Sequence, residues 1–570
     1  MKQWFRYCGR AACLAAVLST GVGVGSLRAQ APAAPAATPE QVLTDDLVTQ
    51  VLGMDKNQLK VPEGADAEKT KRINDLRKHF TDAVNAFRGG DAQKAQAAFE
   101  EARKVDSSLS PAQVYLARLC FAVNDEKLVR VGRAFLDQAV DKDPSSPEAY
   151  LIFGNLALLE GRLADADLHF TKAAELANSP TAPEWTPEQK KTFLKNVYGG
   201  RVSVCEQRQS WQRGLAEVAA WLDLDKNDPA ALFRMARLTF LTDTKSDSQL
   251  TEARKYFDEA YAAAVAANKG KDELPSVPPT ELALLELQTA AGNLDKARDE
   301  IKRIDAKAAE LTADSNKKEG SRVYSTLSQW YLGQGEFDKA TEYANKATAL
   351  DKDSPALKQL TAVLYYFANN PSAEAEFTKM HQDNPQDFFA ANYLALTLIE
   401  AKDKDGKPDA AKQAKAVQVA ELSARLNPKS PVALATLAWC YFNTGRLGEA
   451  AQIFAAFEQQ ENMQISADTA YFMAKVYAGL PAGQFPQALT RAKQILEGTV
   501  STTGAFKYRK EAEDMYVNLG GQRPVRTSTQ SASQAPAAPS TPATDKPATP
   551  TTPSKPAEDK PATPPADGNN

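Results

Sequence analysis

The chain has 570 residues, 25% of them charged and 43% hydrophobic, with a formal net charge of −4. So small and mixed a balance lacks the basic field on which nucleic-acid binding rests. Three histidines, 29 glycines and five cysteines leave little material for a metal cluster, a flavin site or a disulfide scaffold.

Residues 1–31 read as a secretory signal peptide. Lys2, Arg6 and Arg10 form a basic start, and Ala11 to Gly25 is an apolar run interrupted only by Ser19 and Thr20. Ala29-Gln30-Ala31 then supplies small residues at A-x-A spacing. The run falls short of the ~20 residues a spanning helix needs, which favours cleavage over anchoring. Cys13 stands at the start of the apolar run, where a lipidated cysteine should follow it. Residues 32–70 read as a linker with an N-terminal capping helix at Gln41 to Leu52. No later window approaches 18 uninterrupted apolar residues, so no integral membrane segment is expected after cleavage. A basic, apolar, small-residue leader suits bacterial export and predicts a periplasmic or secreted protein of the cell envelope.

From residue 71 to 500 one pattern recurs, with an Ala followed at +4 and +7 by further small or large apolar residues. Clear cases are Ala95-Phe99-Ala102, Ala166-Phe170-Ala173, Ala253-Phe257-Ala260, Ala297-Ile301-Ile304, Ala340-Ala344-Ala347, Ala450-Phe454-Phe457 and Ala488-Ala492-Ile495. Steps of four and three put all three positions on one helical face. Each such helix follows another across a turn that often holds glycine, at Gly90, Gly161, Gly292, Gly335 and Gly445. Asp-Pro, Asn-Pro or Ser-Pro pairs then punctuate the chain, as at Asp228-Pro229, Ser354-Pro355 and Ser430-Pro431, where the first residue caps a helix and proline fits its first turn.

With these features the chain resembles the tetratricopeptide repeat (TPR) family, whose unit is a 34-residue helix-turn-helix. The clearest copy begins at Pro147, with Tyr150, Gly154, Ala157, Gly161, Ala166, Phe170 and Ala173 on the signature positions. A second begins near Pro431, and a third near Ser321 carries Tyr324, Leu327, Tyr331, Gly335 and Ala340. About eleven units are counted, some degenerate, including one with Gly214-Val218-Trp221 in place of the signature. The resemblance implies an all-α, right-handed superhelical solenoid that binds proteins or peptides on its concave wall. Phe506 to Leu519 reads as part of a C-terminal capping helix within 501–521. Residues 522–570, rich in Pro, Ala and Thr, read as a disordered tail that acts as a spacer or tether.

No catalytic, metal or cofactor motif stands out, and an enzyme is not expected. His79, His169 and His381 are isolated, and Cys120, Cys205 and Cys440 fall in different units at positions that want a small buried residue. Some TPR proteins grip a terminal carboxylate with Lys, Asn and Arg on their first helices. Here those positions carry Ala117, Arg118 and Phe121, then Glu148, Leu151, Ile152 and Asn155, which does not reproduce that clamp.

The repeat register does place Tyr365 or Tyr366, Phe389, Tyr393, Trp439 and Phe442 on the inner wall of units 8 to 10. These rings form a candidate protein-binding groove for an extended or helical segment; the competing reading packs them between helices. The expected function is an exported, non-enzymatic interaction scaffold. One alternative is a structural subunit of a secretion or outer-membrane assembly complex. Another is a glycan-binding or hydrolytic factor that uses the rings with Glu400.

Overall fold

The computed structural model describes residue 44 and residues 47–523, apart from 55–58, 124, 181, 271–272, 314–315, 459–464 and 503. The secretory leader, residues 32–43, 45–46 and 55–58 of the linker and residues 524–570 of the tail lie outside the described residues. Of the expected helix at Gln41 to Leu52, Leu47–Val51 forms a π-helical turn that packs Val48 and Leu52 on the core of the first hairpins. Among the described residues the fold consists of twenty-four α-helices and one π-helical turn, Leu47–Val51, with one isolated β-bridge between Lys402 and Pro408. No described helix is long and apolar enough to cross a membrane.

The helices pair into eleven antiparallel hairpins. The first three are α1 (Ala67–Arg88) with α2 (Ala92–Val105), α3 (Ala112–Ala122) with α4 (Glu126–Lys142), and α5 (Pro147–Leu159) with α6 (Leu163–Ala177). Next come α7 (Pro187–Gln207) with α8 (Trp211–Leu224), α9 (Pro229–Thr242) with α10 (Asp247–Ala267), and α11 (Thr280–Ala290) with α12 (Leu294–Ala306). A single turn, α13 (Ala308–Leu311), is inserted before the seventh hairpin, α14 (Lys317–Gln334) with α15 (Phe337–Leu350). The last four are α16 (Pro355–Phe367) with α17 (Ser372–Asp383), α18 (Phe388–Ile399) with α19 (Ala410–Leu426), α20 (Pro431–Asn443) with α21 (Leu447–Glu458), and α22 (Ala467–Gly479) with α23 (Ala488–Val500). A short closing helix, α24 (Arg509–Asn518), ends the stack.

The turns repeat one device. In seven hairpins the residue that opens the second helix donates its N–H to the carbonyl five residues back, from Asp91 to Ala86 through Arg446 to Tyr441, at 2.8–2.9 Å. Such a closure needs a left-handed residue just before the donor. Gly90, Gly161, Gly292, Gly335 and Gly445 supply it with φ between 71° and 83°. Gln209 (φ 57°) and Asn369 (φ 51°) do the same in the fourth and eighth hairpins without glycine. Helix starts are also shared, with Pro147, Pro187, Pro229, Pro355 and Pro431 each in a first turn. Asp228 caps α9 by accepting from the N–H groups of Ala230 and Ala231.

The 4-and-3 spacing carries the core. Phe99, Phe170, Phe257, Phe377 and Phe454, one on each of five second helices, are essentially inaccessible, and the alanines beside them are buried with them. Ile495 is only half-buried, and Leu496, one residue on, takes the core position in α23. Phe170 shows why the neighbours must be small. Its ring lies between Gly154 of α5 and Gly200 of α7, where an added methyl would stand 2.6 and 2.4 Å from ring carbons. One ring thus joins its own hairpin to the next.

Two stability outcomes follow. Gly200→Ala should destabilise the junction of the third and fourth hairpins by about 1–3 kcal/mol through overpacking, and Phe170→Ala by about 3–5 kcal/mol through the cavity it leaves. Gln209→Gly, which relieves a left-handed side chain, should instead stabilise by about 0.5–1 kcal/mol. Denaturant unfolding of the three variants beside the parent chain measures all of these.

Candidate functional site

First helices of successive hairpins touch one another, α5 with α7, α7 with α9, and the series α14, α16, α18, α20 and α22 without a break. Successive second helices make no comparable approach among the described residues. The first helices therefore lie on the inner side of the curve, where a stack of wedge-shaped hairpins crowds its elements.

The six aromatic residues singled out from the repeat register sit on three of these helices, Tyr365 and Tyr366 on α16, Phe389 and Tyr393 on α18, and Trp439 and Phe442 on α20. Tyr366, Phe389 and Trp439 are buried, whereas Tyr365, Tyr393 and Phe442 are half-buried. Tyr393 joins Tyr366 (5.4 Å between centroids) to Phe389 (5.0 Å) and stacks on Phe377 of α17 (5.2 Å). Trp439 stacks on Phe442 (5.4 Å) and on Phe472 of α22 (4.3 Å). Tyr365 packs at the margin of the same apolar cluster.

What unites the two groups is a piece of this chain. Residues 504–508, between α23 and α24, are not helical and run along the inner wall. A methyl at Gly504 would stand 3.7 Å from the carbonyl oxygen of Gly333 on α14. Phe506 is buried beside Tyr471 of α22, with centroids 6.4 Å apart. Tyr508 stacks on Tyr471 (5.1 Å) and meets Phe472 and Trp439 edge-on (5.4 and 6.0 Å). Its hydroxyl lies 3.2 Å from that of Tyr366, 142 residues away. Arg509 closes the loop behind them by donating to the carbonyls of Thr502 and Gly504, both at 2.6 Å.

Lys507 occupies the centre. Its side chain is only 7% exposed, its Nζ stands 3.5 Å above the centroid of the Tyr366 ring, and it pairs with Glu400 Oε2 at 2.7 Å. Its backbone N–H donates to Asp468 Oδ1 on α22 at 3.1 Å. A buried ammonium is stable only when partners of this kind replace its water, here a carboxylate and a ring face.

Burial is the main influence on both carboxyls. It raises Glu400, opposed by Lys507 and by the nearby Trp439 and Tyr366 donors. Glu400 Oε1 and Trp439 Nε1 are nonetheless buried without a completed hydrogen bond. Burial also lifts Asp468 from its ordinary 3.8 to about 7, against the hydrogen bond and charge of Lys507.

Asp468, Lys507 and Tyr508 carry no repeat signature. Asp468 reads in the sequence as an ordinary acid in a helix first turn, and Lys507 as part of a closing helix. Glu400, named with the sugar-stacking alternative, is engaged by Lys507 instead. The remaining chemistry-bearing side chains are dispersed: Cys120, Cys205 and Cys440 are buried in separate hairpins, and His169 stacks on Phe153 at 5.4 Å. Among the described residues no three His, Cys, Asp or Glu side chains converge as a metal site requires.

No family model and no curated protein sequence matches this chain. Among solved structures it is similar to yeast Tom70, with 14% identity over 80% of this chain and 96% of that one, at a TM-score of 0.31. A tetratricopeptide repeat protein from Parabacteroides merdae gives 12% identity over 65% and 99% of the two chains, at 0.25. The human IFIT1 dimer with m7Gppp-AAAA gives 15% identity over 85% and 94%, at 0.32. These likenesses are of helical-repeat architecture and carry nothing about a ligand.

The raised carboxyls have a consequence for stability. The folded state holds the Asp468 proton more tightly than the unfolded chain does. Its contribution is therefore largest below pH about 4, falls as pH rises to about 7, and is flat above that. Glu400 acts in the same direction. Asp468→Asn should accordingly reduce the loss of stability between pH about 4.5 and pH about 8. Urea unfolding of parent and variant at both pH values checks this, and an unchanged difference would refute it.

Proposed function

We propose that this chain is an exported, non-enzymatic scaffold of the bacterial cell envelope that binds extended protein segments along its inner wall. The observation that carries this reading is the course of residues 504–508. The wall already holds a stretch of non-helical peptide through ring stacking, a buried ion pair and a backbone hydrogen bond. These contacts are of the kind that hold extended ligands on concave repeat surfaces, where aromatic side chains give large contact area at low entropic cost. Length supports the reading as well, since eleven stacked hairpins offer room for more than one contact point on a partner. Export rests on the basic start, apolar run and small-residue motif of residues 1–31.

Photo-crosslinking in the native host tests the wall. A crosslinking residue at Asn155 or Asn196, exposed on first helices α5 and α7, should capture one discrete envelope protein. The same residue at Leu168 or Val265, exposed on second helices α6 and α10, should not. Equal capture from both faces would favour a permanently embedded subunit of a larger envelope assembly, and recovery of the full chain in the cytoplasmic fraction would overturn the exported assignment.

A further inference from the structure

The geometry points to a lysine-reading site on the inner wall of the last four hairpins, with Phe506, Lys507 and Tyr508 as its internal ligand. The external ligand is an extended peptide that carries lysine between two aromatic residues. The inference rests on the inner wall being a binding surface and adds what that surface recognises and what regulates access to it.

The site has three parts. The Tyr366 ring and the Glu400 carboxylate form a pocket for an ammonium group, and both partners lie within 3.5 Å of Lys507 Nζ. Asp468 receives the backbone N–H of the lysine, which fixes the strand direction of the peptide at that residue. Tyr471, Phe472 and Trp439 receive the rings on either side. Receptor groups come from α16, the end of α18, α20 and α22, and the ligand groups from three consecutive residues.

The two unpartnered atoms of the pocket, Glu400 Oε1 and Trp439 Nε1, lie on its receptor side. Trp439 is itself among the donors beside the Glu400 carboxylate, so these two atoms serve the receptor side, and selection of the peptide rests on the ammonium, ring and backbone contacts. Residues 524–570 contain no aromatic residue, so the tail of the chain does not meet these requirements.

Internal occupancy acts as a regulator by mass action. A tethered segment presents itself at an effective concentration on the order of millimolar. Against a site of about 10 μM intrinsic affinity, that weakens an outside peptide by about 100-fold. Any partner must therefore either bind much more tightly or engage the wall at several points before the internal segment yields.

The test uses the full mature chain, residues 32–570, and a fluorescent synthetic peptide with the sequence of residues 502–510. Lys507→Ala/Tyr508→Ala vacates the pocket. By fluorescence anisotropy the vacated chain should bind this peptide at least tenfold more tightly than the parent chain does. It should also prefer it at least tenfold over a peptide with norleucine at the lysine position, and adding Glu400→Gln should remove that preference. A folded vacated chain that ignores the peptide, or binds both peptides alike, overturns the inference. If the vacated chain does not fold, hydrogen exchange on the parent chain decides. Excess peptide should accelerate exchange of the Lys507 amide, which Asp468 holds, and unchanged protection overturns the inference. Either failure leaves crosslinking from α5 and α7 unaffected, so it is distinguishable from failure of the scaffold itself.

Discussion

The stack depends on one contact, a phenylalanine ring of a second helix pressed against residues that lack bulk on the first helices beside it. Phe170 is the sharpest instance, because Gly154 and Gly200 both present bare backbone to its two sides. The contact serves two interfaces at once, within a hairpin and between hairpins. In a structure whose elements touch mainly their neighbours, stability is close to a sum of hairpin and junction terms. Residues that enter both terms therefore weigh most. The buried alanine four residues before each of these rings follows from the same constraint, since a larger side chain there would hold the helices apart.

Polar contacts reinforce the junctions without creating them. Lys195 of α7 pairs with Asp225 and Asp228, at the end of α8 and the cap of α9 (both 2.8 Å), and Arg213 of α8 reaches back to Asp167 of α6 at 2.6 Å. Arg254 of α10 pairs with the buried Glu300 of α12. Partly exposed pairs contribute at most about 1 kcal/mol each, so their main effect is on register. They favour one rotation of each hairpin on the next.

Lys507 is of another kind. It ties residues 107 positions apart, and Tyr508 reaches 142 positions back to Tyr366. Such links depart from nearest-neighbour architecture and join the eighth, ninth and eleventh hairpins into one unit. They also hold a non-helical segment against the inner wall, so the stability of the C-terminal end and the exposure of that wall become coupled quantities. A carboxyl such as Asp468, held near pH 7 by burial, makes that coupling sensitive to proton concentration.

Local chemistry determined much of this protein from sequence alone. Alanine and phenylalanine at steps of four and three can share a helical face only in one way. A glycine before the second helix marks a left-handed turn, and an Asp-Pro or Ser-Pro pair marks a helix start. Each signal lies within a few residues, so the hairpins were legible even where a unit was degenerate, as with Gly214-Val218-Trp221. Gln209 and Asn369 were not, because their turns use residues that only the closed hydrogen bond holds left-handed. Tyr366, Phe389, Tyr393 and Trp439 were legible as aromatic positions on first helices, but not that they pack into one apolar cluster with Phe506 and Tyr508. Whether those rings face solvent or another part of the chain is decided by a segment more than 60 residues beyond Trp439, which obeys no repeat. Periodicity records which face of a helix is apolar; only the curvature of the whole stack determines what arrives to cover it.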